Sequence, residues 1–237
     1  MKSLLSISAL LANNDCRITG LYRYAVKGLG ADELMRVTLE SPGETFPDDR
    51  RFALLFQQNQ AKFDQDSPEW LHKENFLCAF SDANFMSKFR SSYRIVHAHG
   101  LSHAEPCDSV TTNSSQSTQR ILSIQDRATM EKLLGPIDLA TKEGRNMLGK
   151  FFSIKSGKQV TCVTSTEKQH GHQFGNTSSG LKARGDTRTI HIVNAETVKD
   201  LSAKINLSLN PTRFRPNVVV SGLKPWAEFG WVGQSIQ

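Results

Sequence analysis

Apolar and polar positions alternate from Arg17 to Val26, with Ile18, Tyr22, Tyr24 and Val26 on one face and Arg17, Thr19 and Arg23 on the other. This period of two predicts a half-buried strand. It runs into Lys27-Gly28-Leu29-Gly30, where glycine permits tight backbone approach or positive φ. Further strands are predicted at Leu34 to Leu39, Phe52 to Phe56, Gln159 to Ser165, Thr189 to Val193 and the β-branched run Val218-Val219-Val220. Ser67-Pro68-Glu69 reads as a cap, proline and first-turn acid before the core-facing segment Trp70 to Phe80. Helical spacing predicts a short helix from Asp82 carrying Phe85, Met86 and Phe89. A second helix is expected from Asp126 through Leu134, stopped by Gly135-Pro136, and a third over Asp138 to Phe152. Asn194 is placed to cap a fourth, with Val198, Leu201 and Ile205 on its buried side. Strands outnumber helices and no regular βαβ alternation occurs, which predicts an α+β, β-barrel-rich architecture.

Two stretches break the pattern. From His97 to Gln119 the chain is polar and of low complexity, which predicts a surface insertion without a core. His97, His99, His103 and Cys107 are metal-ligand types. A tract of this composition lacks the packed support that a metal site needs, so no metal site is assigned. Glu167 to Asp186 is a long glycine-bearing loop, predicted to line or lid a pocket. Its Gly175-to-Gly180 spacing is that of a P-loop, but Leu181 precedes Lys182 and no hydroxyl follows. That departure argues against nucleotide hydrolysis.

Composition narrows the function classes. The chain has 237 residues, 38% hydrophobic and 22% charged, enough for a substantial soluble core. No apolar run reaches the length of a membrane span. The net charge of +6 favours anionic partners, yet the lysines and arginines are scattered. A local anion site is therefore expected rather than a nucleic-acid track. The four cysteines, Cys16, Cys78, Cys107 and Cys162, form no Cys-x-x-Cys pair. Neither a zinc cage nor a disulfide framework is indicated, and a cytoplasmic, reducing location is expected. Residues 1–16 read as an extension ahead of the first strand.

The candidate chemistry concentrates in Arg213-Phe214-Arg215-Pro216-Asn217. Pro216 biases Arg215 toward an extended conformation, in which both guanidiniums share a face. Two such donors at a strand mouth suit a phosphate or another planar oxyanion. Asp48-Asp49-Arg50-Arg51 offers an arginine oriented by a neighbouring aspartate, and Lys27 can deliver an ammonium beside glycine. The helix start at Asn194 adds free N–H groups, a natural anion site.

Together these segments resemble a known family. Tyr24-Ala25-Val26-Lys27-Gly28 with Asp49-Arg50-Arg51-Phe52 is similar to the N-terminal β module of MOSC proteins. Thr189 to Asn194, Thr197-Val198, Arg213 to Asn217 and Glu228-Phe229-Gly230-Trp231 resemble the MOSC domain itself, as in the C-terminal region of molybdenum cofactor sulfurase and the mitochondrial amidoxime-reducing component. The resemblance implies residues 17–95 as the N-terminal module, 96–120 as an insertion and 121–237 as a MOSC domain whose last strands are missing. It implies binding of the molybdenum cofactor (molybdopterin) by Lys27, Gly28, Arg50, Asn194, Thr197, Arg213, Arg215 and Asn217. Gly28 stands where many relatives carry serine. In the family a cysteine beyond the acid-x-x-Trp element ligates molybdenum or carries sulfur, and none of the four cysteines here matches it. No catalytic or metal-ligating residue is therefore assigned. The implied parent activity is molybdenum-dependent reduction of N-oxygenated small molecules with electrons from partner proteins. A non-catalytic cofactor or sulfur carrier is the alternative.

Overall fold

The structure, a computed structural model, describes residues 16–39, 45–97, 118–164, 173–175 and 189–233. The readings made for residues 1–15, for His99, His103 and Cys107, and for the P-loop-like spacing lie outside the described residues. Nine strands are described: β1 (Arg17–Arg23), β2 (Asp32–Glu33), β3 (Ala53–Phe56), β4 (Phe89–Val96), β5 (Gln119–Asp126), β6 (Lys132–Asp138), β7 (Val160–Val163), β8 (Ile192–Asn194) and β9 (Val218–Ser221). The α-helices among the described residues are the single turn α1 (Ala83–Met86), α2 (Lys142–Ser156) and α3 (Ala195–Ile205). The expected α+β architecture is present, its strands laid out in three sheets: β2-β1-β9-β8, β3-β7 and β4-β5-β6.

β3 lies at the centre. Its residues alternate between two apolar clusters, as the pleat dictates. Leu54 joins Phe52, Leu122, Ile124, Leu148 and Phe152 on one side, and Ala53 and Leu55 join Phe76, Cys78 and Phe174 on the other. α2 starts at a Thr141 cap, whose hydroxyl accepts from the Gly144 N–H, and ends at Gly157 in the left-handed region. It packs on β7 through Gly149, where a Cβ would come within 3.2 Å of β7 backbone atoms.

Several expectations give way to tertiary pairing. The helix expected over Asp126 to Leu134 is the β5–β6 hairpin. The Asp126 carboxylate accepts from the Ala128 and Thr129 N–H groups and closes a turn, so the apolar run after it pairs with β5 instead of coiling. Gly135-Pro136 lies within β6 rather than ending a helix. Leu34 to Leu39 forms no strand; the short pairing with β1 falls earlier, at Asp32–Glu33. The register of β1 shifts between Ile18 and Gly20, which turns Ile18 to solvent. In the segment after Ser67, Phe76 and Leu77 are buried but Phe80 is 54% exposed. Phe89 belongs to β4 and not to the helix before it.

Phe152 is fully buried, with edge-on ring contacts to Phe85, Phe89 and Phe151. Phe152→Ala should lower the unfolding free energy by about 3–5 kcal/mol. Ile154→Ala, on the exposed face of the same helix, should cost less than about 0.5 kcal/mol. Urea denaturation of both variants checks the placement of the core.

Candidate functional site

Four segments converge where β1 leaves its sheet. The Tyr22 N–H donates to the Asn217 carbonyl (2.8 Å), and the Arg50 N–H to the Tyr24 carbonyl (2.8 Å). The Lys27 N–H donates to the Phe52 carbonyl (2.8 Å), and the Phe174 N–H to the Arg50 carbonyl (2.8 Å). Residues 22–28 are thus laced to 49–52 on one side and to 217 on another, with 173–175 joined through Arg50. Backbone pairing of this density fixes where the side chains can go.

Each cation in this junction is held by named partners. Lys27, only 3% exposed, donates from Nζ to the carbonyls of Phe174 (3.2 Å) and Gly175 (3.0 Å) and lies over the Phe76 ring. Arg50 pairs with the Asp49 carboxylate and donates to the Arg215 carbonyl (3.2 Å). Arg215 donates from Nη1 to the Leu29 carbonyl (2.7 Å), its guanidinium 4.2 Å from the centroid of the Tyr24 ring. Asp49 also accepts from the Tyr24 N–H (2.8 Å) and from Gln173 Nε2 (3.0 Å). The neighbouring acid does a different job. Asp48 pairs with Arg51 and Arg120 and accepts from the Tyr93 hydroxyl.

Among the described residues, one carboxylate, Asp49, touches this group of three cations. Burial pushes the Lys27 ammonium down from 10.5 to about 8, with Arg50 and Arg215 lowering it further and Cys78 opposing. Burial, then the Arg50 charge, brings Arg215 down to about 10. Burial likewise holds His191 below the usual imidazole value. The linkage sign follows from Lys27. Its folded value lies below its unfolded one, so the unfolded chain binds more protons between about pH 8 and 10.5. Below that window the buried charge destabilises the fold, and stability is regained as pH rises through it. An anion seated against Lys27 would relieve the same cost at neutral pH.

The expected residues do not all meet. Lys27, Arg50, Arg215 and Asn217 share the junction. Asn217 is fully buried and acts there as a staple: its Oδ1 accepts from the His191 N–H (3.0 Å) and its Nδ2 donates to the Tyr22 carbonyl (3.1 Å). Gly28, Arg213 and Arg215 line a cleft of about 1220 Å³, together with Tyr24, Arg90 and Arg127. The extended Arg213-to-Arg215 geometry is overturned. Pro211–Phe214 is a 3-10 turn capped by Asn210, and Arg215 takes a left-handed conformation (φ 55). That twist sends the Arg215 guanidinium inward to Leu29 and leaves Arg213 exposed at the rim.

Asn194 and Thr197 lie elsewhere. β8 and β9 run parallel, with Asn194 opposite Val220, whereas Arg215 and Asn217 precede the other end of β9. Asn194 caps α3 as expected, accepting from the Glu196 N–H (3.0 Å). The anion at this helix start is the chain's own Glu228, which accepts from Asn194 Nδ2 (3.0 Å) and the Thr197 hydroxyl (3.0 Å). The helix dipole is therefore already answered by an internal carboxylate.

Sequence reasoning missed Tyr24, Asp49 as a three-way acceptor, and the carbonyls of Leu29, Phe174 and Gly175. Backbone carbonyls carry no sequence signal. Tyr24 read only as an apolar-face residue. Cys162 is buried and its pKa is pushed up to about 12 by burial, so it is not a thiolate at neutral pH. Among the described residues no cluster of His, Cys, Asp or Glu is placed to hold a metal, and no helix is long and apolar enough to cross a membrane.

Residues 169–236 match the family model of the MOSC domain. No curated protein and no solved structure matches the chain. The MOSC segment supplies Gln173 to Gly175, Arg215 and Asn217 to the junction, while Lys27, Arg50 and Tyr24 come from outside it. The family is linked to molybdenum-cofactor binding.

Gly28 sits at φ +94, and a Cβ there would lie 2.6 Å from the Cys78 Cα. Gly28→Ser should therefore lose at least about 1–2 kcal/mol of stability from the left-handed backbone alone, and more from the clash. Thermal unfolding tests this; a serine tolerated without loss would show that residues 27–30 do not hold this conformation.

Proposed function

We propose that the protein binds the molybdenum cofactor, a pterin dithiolene bearing a phosphate, at the junction of Lys27, Arg50 and Arg215. The observation that carries this reading is the convergence of three cations from separate segments, Lys27 and Arg50 buried and Arg215 half-buried at the cleft. Such a set fits a phosphate ester: two planar guanidiniums for its oxygens, an ammonium as a point charge, and a wall at Gly28 without a side chain. Neutral ligands would leave the mutual repulsion in place. Polynucleotides would call for an exposed basic stripe rather than a buried knot.

The chain's own residues bind and orient. Asp49 and Asn217 fix Arg50, the Leu29 carbonyl and Tyr24 ring fix Arg215, and the carbonyls of Phe174 and Gly175 aim Lys27. Phe76 and Phe174 back the ammonium with apolar surface and keep water from it. When bound, the cofactor supplies two-electron redox chemistry at molybdenum, and the protein supplies position and electrostatics. The parent activity in this reading is reduction of N-oxygenated small molecules with electrons from a partner protein, and no residue here is assigned as the molybdenum-ligating cysteine. The remaining cleft beside Arg213 and Arg215 is where such a substrate would enter. Asn194 and Thr197, tied to Glu228, act in this reading as scaffold for the carboxyl-terminal turn rather than as cofactor ligands.

Lys27→Met removes a buried charge while keeping the stem length. The variant should melt no lower than the parent at pH 7. Purified from a host that makes the cofactor, the parent should carry pterin and molybdenum, and Lys27→Met and Arg215→Lys should carry roughly tenfold less. Pterin fluorescence after oxidation and elemental analysis read both. A parent free of pterin, or variants loaded equally, would contradict the assignment.

A further inference from the structure

Tyr24 is 2% exposed, and its hydroxyl oxygen is buried without a hydrogen-bond partner among the described residues. Buried hydroxyls are nearly always paired, because an unpaired one loses its water and gains nothing in return. A phenylalanine would fill the same space and avoid that loss. The neighbours make the hydroxyl more conspicuous. The Arg215 guanidinium lies 4.2 Å from the centroid of the Tyr24 ring and the Arg50 guanidinium 5.4 Å from it. The ring thus belongs to the cation cluster, and Tyr24 lines the cleft along with Gly28, Arg213 and Arg215. Burial pushes its pKa up to about 12, so at neutral pH it remains an O–H donor rather than a phenolate.

Resting on the cradle described above, we propose that the Tyr24 hydroxyl is a ligand-binding donor, giving its hydrogen bond to a phosphate oxygen of the group held by Arg50 and Arg215. A ligand rich in acceptors and lacking donors on that side answers all three groups at once. A phosphate ester has that chemistry. Donation from a neutral hydroxyl adds direction to a contact that the cations alone would leave loosely oriented. The role is one of binding and orientation; no proton transfer is assigned to it.

The test uses the full chain and inorganic phosphate as the probe, titrated by calorimetry. Tyr24→Phe should fold, and without phosphate it should melt at the parent temperature or above it, because an unanswered hydroxyl is removed. Its phosphate dissociation constant should rise about tenfold. A residue serving only to pack would show the same unchanged melting without the selective loss of affinity. Carbon-13 labelling at tyrosine Cζ in the parent gives a second readout, since the chain has three tyrosines. The Tyr24 resonance should move along the phosphate binding curve. If the parent binds phosphate, Arg215→Lys weakens it and Tyr24→Phe does not, the Tyr24 assignment is wrong and the cradle stands. An unmoved Cζ resonance overturns it likewise. If the parent does not bind phosphate at all, the cradle and the Tyr24 contact fall together.

Discussion

Everything at this site follows from packing like charges where water has little access. Two unit charges about 5 Å apart repel by roughly 3 kcal/mol at an effective dielectric constant near 20. A domain of this size is stable by only about 5–15 kcal/mol in total. Lys27, Arg50 and Arg215 are nevertheless brought together, and the surrounding chain is organised to keep them so. Carbonyls of Leu29, Phe174, Gly175 and Arg215 accept from them, the Tyr24 and Phe76 rings face them, and Asp49 answers one. The depressed values of Lys27 and Arg215 show that these partners do not fully replace hydration. An arrangement of that kind fixes the cations before any ligand arrives, which is what the proposed anion site requires.

The cradle is a product of long-range pairing. β1 joins β9 and β3 joins β7, so two of the three sheets draw strands from well-separated parts of the sequence. The matched MOSC segment contributes Arg215 and the 173–175 backbone, and the earlier half contributes Lys27, Arg50 and the Tyr24 ring. Neither half contains the charge cluster by itself. Asn217 is the clearest link, since its buried amide holds β1, the start of β8 and Arg50 in one place.

Much of this was legible because certain residue types constrain the backbone wherever they occur. Glycine beside Lys27, adjacent acids and arginines at 48–51, and the Asn194 cap all carried local signals that the structure bears out. The failures came where a distant partner decided the outcome. The apolar spacing after Asp126 suits a helix or a strand, and β5 chose the strand. Arg215 precedes a proline and was expected to be extended. Its guanidinium instead finds Leu29 and Tyr24 by adopting a left-handed backbone. The helix start at Asn194 looked open to a ligand anion, and Glu228 fills that role from 34 residues away. The Tyr24 hydroxyl left no trace in the pattern, because that it is buried without a partner among the described residues shows only in the fold.

The most direct measurement is the titration of the Lys27 ammonium by NMR, in the full chain with and without inorganic phosphate. Without the anion, Lys27 should titrate near 8, well below an ordinary lysine, because burial and two guanidiniums disfavour its charge. With phosphate bound, the value should climb toward 10, and phosphate affinity should weaken as pH rises through the unliganded value. A Lys27 that titrates near 10.5 in both conditions would mean that no stressed cation cluster exists, and the account of the site would fail with it.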